Sequence, residues 1–207
     1  MLPKLYYITQ PLPGISYTSQ VDQVCRGGVQ LVQLRLKDVS KDEVLRIAGE
    51  VKQVTDSYGA KLVINDCPEI AVQVNACGVH LGMNDMHPRE ARTFLGNSIL
   101  IGGTANTFER VAELFPYVDY FGIGPFRFTE TKKNLAPILG IGGYTAILQK
   151  MQHYNMYKPV YAIGGIEEND FPALMKTGIH GIAVSSLIAK STDAVQTIKA
   201  LNALLNK

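Results

Sequence analysis

No C-x-x-C pair occurs in this chain, and its three cysteines, Cys25, Cys67 and Cys77, are odd in number and widely spaced. That excludes a disulfide framework and a cysteine-built zinc site, and it suits a reducing cytoplasm. Cys67 follows the acidic Asp66, which disfavours its thiolate and marks it as a bystander. Charge of one sign is also scarce: Lys+Arg 20 against Asp+Glu 18 leaves a net +2. No basic run with interleaved aromatics appears, so the composition makes no case for DNA, RNA or a membrane surface as partner. No apolar stretch approaches the length of a bilayer span, and the N-terminal MLPKLYYIT lacks the basic-then-apolar layout of a signal peptide. A G-x-G-x-x-G fingerprint after the first strand-like segment, an internal repeat and a low-complexity tract are all missing.

What is present is enough apolar sequence for a full core. At 207 residues and 46% hydrophobic composition, one domain over residues 1–207 is the default. Apolar, β-branched segments recur at 4–9, 29–36, 61–66, 77–82, 98–103, 117–124, 159–165 and 180–186. Helical patterns lie between them. Residues 41–59 place Val44, Leu45, Ala48, Val51 and Val54 on one face and end in Gly59 as a C-cap. Residues 108–115, 169–178 and 192–205 behave similarly, the last with Thr192 or Asp193 as N-cap. This βα alternation without a linker predicts an α/β fold, a single (β/α)₈ TIM barrel with short helices and loops. The runner-up is an open doubly wound sheet.

Within the second apolar segment, Gln33, Arg35 and Lys37 occupy alternate positions of VQLVQLRLK. Side chains two apart share a strand face, so these polar groups point together while Leu34 and Leu36 point oppositely. Burying unpaired cations costs several kcal/mol, so the arrangement asks for an anion. The alternative is an edge strand with one solvated face.

In a barrel of this type the active site lies at the C-terminal strand ends, and these ends carry unusually many polar groups. Asp66 and Asp85 end adjacent strands, where their carboxylates can converge. Two carboxylates facing cations, with no histidine partner, suit Mg²⁺ better than zinc. Helix capping competes for Asp66, because Pro68 is a good first-turn residue. Gly164-Gly165 and Ser185-Ser186 follow the seventh and eighth strands, where barrels bind phosphate, although a paired glycine also makes a tight turn. Thr129, Thr131, Lys132 and Lys133 form a polar cluster in a loop long enough to close over a ligand, or to be a solvated surface turn. His80 is read as a hydrogen-bonded interior residue before a catalyst. No Ser-His-Asp set, Cys-His pair or glycosidase-like carboxylate pair is found, which leaves charge stabilisation on phosphates as the chemistry.

The segments QLRLK (33–37), INDCPEIAVQVNACGVHLGMND (64–85), FGIGPFRFTETKKN (121–134) and AIGGI (162–166) together resemble the thiamine phosphate synthase family, over nearly the whole chain. The resemblance implies a transferase that joins hydroxymethylpyrimidine diphosphate to a thiazole phosphate and releases diphosphate, without a protein base or nucleophile. It assigns the pyrimidine diphosphate to Gln33, Arg35, Lys37, Asn65, Thr104 and Lys132, with Arg35, Lys37, Thr104 and Lys132 in the catalytic role. Mg²⁺ falls to Asp66 and Asp85, and the thiazole phosphate to Thr129, Thr131, Gly165, Ser185 and Ser186. Tyr6 and His80 fall near the pyrimidine ring. Four positions depart from the family's usual pattern: Leu36 for Glu, Met83 for Gln, Thr104 for Ser and Asn106 for His. The rival readings are a thiazole tautomerase, which uses a histidine where Asn106 stands, and a non-catalytic phosphate-binding regulator. The partners expected are small-molecule substrates, with homo-oligomerisation left open.

Overall fold

The structure, a computed structural model, describes residues 1–128 and 137–206. Eight parallel strands form its centre: β1 (Leu5–Ile8), β2 (Leu31–Leu34), β3 (Lys61–Asn65), β4 (Gly78–Leu81), β5 (Leu100–Ala105), β6 (Tyr120–Ile123), β7 (Val160–Ile163) and β8 (Gly181–Val184). β1 pairs with β2 on one side and with β8 on the other, so the sheet closes into a barrel. That closure realises the predicted (β/α)₈ architecture and excludes the open doubly wound sheet.

The helices form the outer ring: α1 (Tyr17–Arg26), α2 (Lys41–Ser57), α3 (Pro68–Gln73), α4 (Pro88–Leu95), α5 (Phe108–Leu114), α6 (Gly140–His153), α7 (Phe171–Met175), α8 (Ser186–Ala189) and α9 (Ala194–Leu205). Their ends follow local chemistry. Ser40 caps α2 by accepting from the Glu43 N–H, and Asp193, not Thr192, caps α9 by accepting from the Gln196 N–H. At the end of α2 the chain turns through Tyr58 and Gly59. The latter adopts φ +63°, and the Ala60 N–H donates to the Thr55 carbonyl.

Strand alternation divides the core in two. Tyr6, Ile8, Leu31, Val63, Tyr120, Tyr161 and Ala183 pack inside the barrel. A larger apolar layer, including Tyr7, Val32, Leu34, Ile64, Val79, Phe121 and Ile182, lies between the strands and the helices. Leu36 packs at the edge of this outer layer, as its alternation with Arg35 and Lys37 predicts.

One sequence expectation changes here. β2 ends at Leu34, so strand alternation carries only Gln33 into the barrel. Arg35 is half-buried and Lys37 exposed, both in the loop above the strand. The cations stand at the mouth, where water solvates them, and this relieves the desolvation cost of placing them within.

Candidate active site

The floor of the mouth is a hydrogen-bonded line of side chains from five strands. Gln33 Nε2 donates to Tyr6 Oη at 2.8 Å, and Tyr6 Oη lies 3.0 Å from Tyr120 Oη. Tyr120 Oη lies 3.3 Å from His80 Nδ1, and His80 Nε2 lies 3.1 Å from Thr104 Oγ1. Burial raises the hydroxyl pKa of both Tyr6 and Tyr120 well above the usual range, so both remain protonated donors. Room for these rings comes from glycine. A Cβ at Gly102 would collide with Tyr120 and His80, and one at Gly122 would come within 3.0 Å of the imidazole.

The β3 and β4 ends bring the two predicted carboxylates together. Asp85 lies near enough to Asp66 to hinder its ionisation, and the Lys37 ammonium reaches Asp66 across the rim. Asp85 Oδ2 also accepts from the Gly82 N–H at 2.6 Å, which folds the Gly82–Asp85 turn onto the barrel end. Burial, followed by the neighbouring Asp85, pushes the Asp66 carboxyl up to about 6 against the opposing pull of Lys37. A carboxylate whose ionisation is resisted by burial and by a neighbouring carboxylate is a fit for a cation.

Capping does not account for Asp66. Cys67 holds the N-cap position of α3, and no side chain caps that helix. Asp66 instead adopts φ +67°, a left-handed conformation that Asp tolerates, which turns its carboxylate over the mouth. Among the described residues no group of three or more His, Cys, Asp or Glu gathers as a metal cage. An aspartate pair alone matches Mg²⁺, which keeps much of its shell for water and phosphate. The neighbouring Cys67 thiol has its pKa raised by burial and by the Glu69 and Asp66 charges, in keeping with a bystander.

Beside this pair, Asn65 Nδ2 is buried with no hydrogen-bond partner among the described residues. Nearby, Arg35 forms no ion pair with any described carboxylate; burial raises the pKa of the Tyr17 hydroxyl, against the opposing charge of Arg35. An orphaned buried donor and an unpaired guanidinium are the groups an anionic ligand satisfies.

Across the mouth, the chain after β6 folds back on the end of β7. Phe126 N–H donates to the Ile163 carbonyl and Arg127 N–H to the Gly164 carbonyl, each at 2.9 Å. Arg127 then grips Asp170 through both guanidinium nitrogens, at 3.0 and 2.9 Å, and the Gly165 carbonyl at 2.8 Å. Gly164 and Gly165 sit at φ +94° and +67°, and a Cβ on either would meet this returning segment. The glycine pair is therefore a close-approach device. Next to it, Ser185 Oγ is buried and without a hydrogen-bond partner among the described residues, and Ser186 Oγ donates to Gln10 Oε1 at 3.2 Å. Thr129, Thr131 and Lys132 lie outside the described residues.

A family model described as thiamine monophosphate synthase matches residues 5–188. The chain belongs to that family. Within it, thiamine-phosphate synthase of Flavobacterium psychrophilum is 45% identical over 203 residues, covering 98% of each chain. That of Bacteroides fragilis is 45% identical over 196 residues, or 94% of this chain and 96% of the relative. The solved thiamine phosphate pyrophosphorylase of Pyrococcus furiosus superposes with a TM-score of 0.86 at 28% identity, covering 98% of this chain and 95% of its own. As a member of the thiamine monophosphate synthase family, this protein is a transferase.

Two site features of this family member escaped the sequence reading. Tyr120 was legible by strand alternation, since it shares a face with Gly122, yet an aromatic at a strand start reads as ordinary core. Arg127 sits in the GPFRF segment, but its partner Asp170 is 43 positions away and the pairing exists only in the fold.

Proposed function

We propose that this chain, acting through its barrel over residues 1–207, is a thiamine phosphate synthase. It condenses hydroxymethylpyrimidine diphosphate with thiazole phosphate, releasing diphosphate. The observation that carries the reading is the meeting of the Asp66–Asp85 pair with Lys37 at one rim, beside Arg35, which forms no ion pair among the described residues. Such a rim suits a diphosphate with its counter-ion, and full-length membership in the family supplies the reaction.

Gln33, Arg35, Lys37, Asn65, Thr104 and Lys132 hold the pyrimidine diphosphate. Arg35, Lys37 and Lys132 are the fixed cations that neutralise charge growing on the leaving diphosphate. Tyr6 and His80 wall the pyrimidine ring. Asp66 and Asp85 would hold Mg²⁺, which supplies Lewis-acid stabilisation of phosphoryl oxygens when bound. Thr129, Thr131, Gly165, Ser185 and Ser186 take the thiazole phosphate and set its ring nitrogen in line.

The C–O bond to diphosphate breaks first, and its electron pair leaves with the diphosphate. The resonance-stabilised pyrimidine methyl cation is then captured by the thiazole nitrogen. No proton transfer is needed in either step, so His80 has no acid–base task. The free thiols of Cys25, Cys67 and Cys77 accord with a cytoplasmic enzyme.

A coupled assay for thiamine phosphate, run on purified protein with and without Mg²⁺, tests the proposal. Turnover that depends on both substrates and on the ion is the expected result. Absence of product with both substrates and Mg²⁺ present would overturn it.

A further inference from the structure

We infer that Tyr120 is a positioning residue: it fixes the tautomer of His80 and, through it, turns the Thr104 hydroxyl outward as a hydrogen-bond donor to the bound ligand. The inference rests on the function proposed above for the identity of that ligand, an anionic phosphoryl oxygen, but its structural half stands independently.

Each proton along the line Gln33, Tyr6, Tyr120, His80 and Thr104 needs an acceptor. Tyr6, Gln33 and Tyr120 are 1%, 2% and 1% exposed, so water cannot take up an unmatched proton there. The line has a fixed end, because Gln33 Nε2 only donates, and it donates to Tyr6 Oη at 2.8 Å. Tyr6 must then place its own proton on an acceptor, and Tyr120 Oη at 3.0 Å is the one the described structure offers. Tyr120 Oη, having accepted, passes its proton to His80 Nδ1 at 3.3 Å. An imidazole that accepts at Nδ1 carries its proton on Nε2 when neutral, and Nε2–H then donates to Thr104 Oγ1 at 3.1 Å.

The opposite polarity would have His80 donate to Tyr120 and Tyr120 to Tyr6. With the Gln33 amide presenting Nε2 to Tyr6, the buried Tyr6 proton would then have no acceptor, with the full desolvation penalty of an unmet donor. Burial raises both phenol pKa values, which removes the escape of ionisation.

The consequence reaches the mouth. A threonine hydroxyl ordinarily rotates to donate or accept as its neighbours require. With Nε2–H directed at its oxygen, one lone pair of Thr104 is filled and its own proton is turned outward, which suits an anionic oxygen. Gly102 and Gly122 leave the space in which the line is assembled. The five side chains come from five strands, so the line is a property of barrel closure and of no local motif.

The test is ¹⁵N NMR of histidine-labelled, full-length protein, with the His80 signals assigned by their loss in His80→Asn. In the wild type, His80 should be the Nε2–H tautomer. Tyr120→Phe should move the unprotonated Nδ1 signal downfield, because the hydrogen bond it accepts is lost, whereas Tyr6→Phe should leave that signal in place, because Tyr120 still donates. Turnover should fall about three- to tenfold in Tyr120→Phe, the scale of one hydrogen bond. Adding Tyr120→Phe to Thr104→Ala should cost no more than Thr104→Ala alone, since both remove the same oriented donor. A wild-type His80 in the Nδ1–H form overturns the inference before any variant is made. An Nδ1 signal that does not move in folded Tyr120→Phe, or losses that simply add, would also overturn it. If the tautomer behaves as stated but no thiamine phosphate is formed, the proposed reaction fails while the orientation of Thr104 stands.

Discussion

Asp66→Asn should make the metal-free protein more stable and the enzyme far less active. The substitution is sterically clean: at φ +67° asparagine is tolerated as well as aspartate, so the backbone need not move. What changes is charge. Burial and Asp85 raise the Asp66 carboxyl from 3.8 to about 6. A folded-state value above the unfolded one means that the native protein binds this proton more tightly than the unfolded chain does. The resulting stabilisation is complete below pH 3.8 and is lost as pH climbs through about 6, so at neutral pH the ionised carboxylate is a burden on the fold.

A shift of about two units corresponds to at most ~3 kcal/mol. Partial exposure, solvent screening and the forfeited Lys37 contact bring the expected gain to about 1 kcal/mol. For a chain of this size that is a rise in Tm of roughly 2–4 °C. Melting curves in chelator should show the rise at pH 7.5 and none at pH 4. Added Mg²⁺ should raise the wild-type Tm and leave the variant unmoved. Thiamine phosphate formation should drop by about 10² or more, the scale of removing one preorganised charge-stabilising group. A variant that melts below the wild type at pH 7.5, or that retains full activity, would refute the reasoning.

Asp85→Asn should show a similar activity loss of about 10², and normal turnover in its assay would remove the metal assignment from the β4 end. Arg35→Ala and Lys132→Ala should raise the KM for the pyrimidine diphosphate, whereas Ser186→Ala should raise that for the thiazole phosphate; a shared defect on one substrate would contradict two separate phosphate sites. Gly102→Ala should lower stability by about 1–3 kcal/mol through overpacking, read by urea denaturation, because the added methyl lands on Tyr120 and His80. His80→Ala should cost only a fewfold in rate and keep both limbs of the pH–rate profile; a loss of roughly 10²–10⁴ with one limb missing would mark acid–base catalysis.

The sequence by itself determined the layering of this protein and the chemical character of its mouth. Periods of two and 3.6 are local properties of the chain, and their regular alternation favours a barrel, although only the pairing of β1 with β8 excludes an open sheet. The Asp66 and Asp85 carboxylates, the Gly164-Gly165 pair and the serines after β8 were legible because strand ends recur at predictable places. Tertiary structure alone decided where each polar group points. β2 stops at Leu34 instead of running through Leu36, so Arg35 and Lys37 stand at the mouth and only Gln33 goes inside. Strand termination depends on which neighbour offers the next hydrogen bond, and residues 29–37 do not encode that. The same holds for the line from Gln33 to Thr104 and for the Arg127 grip on Asp170, whose members are brought within about 3 Å only by closure of the barrel. A hydrogen bond is satisfied by geometry between distant residues, and no local periodicity records that distance.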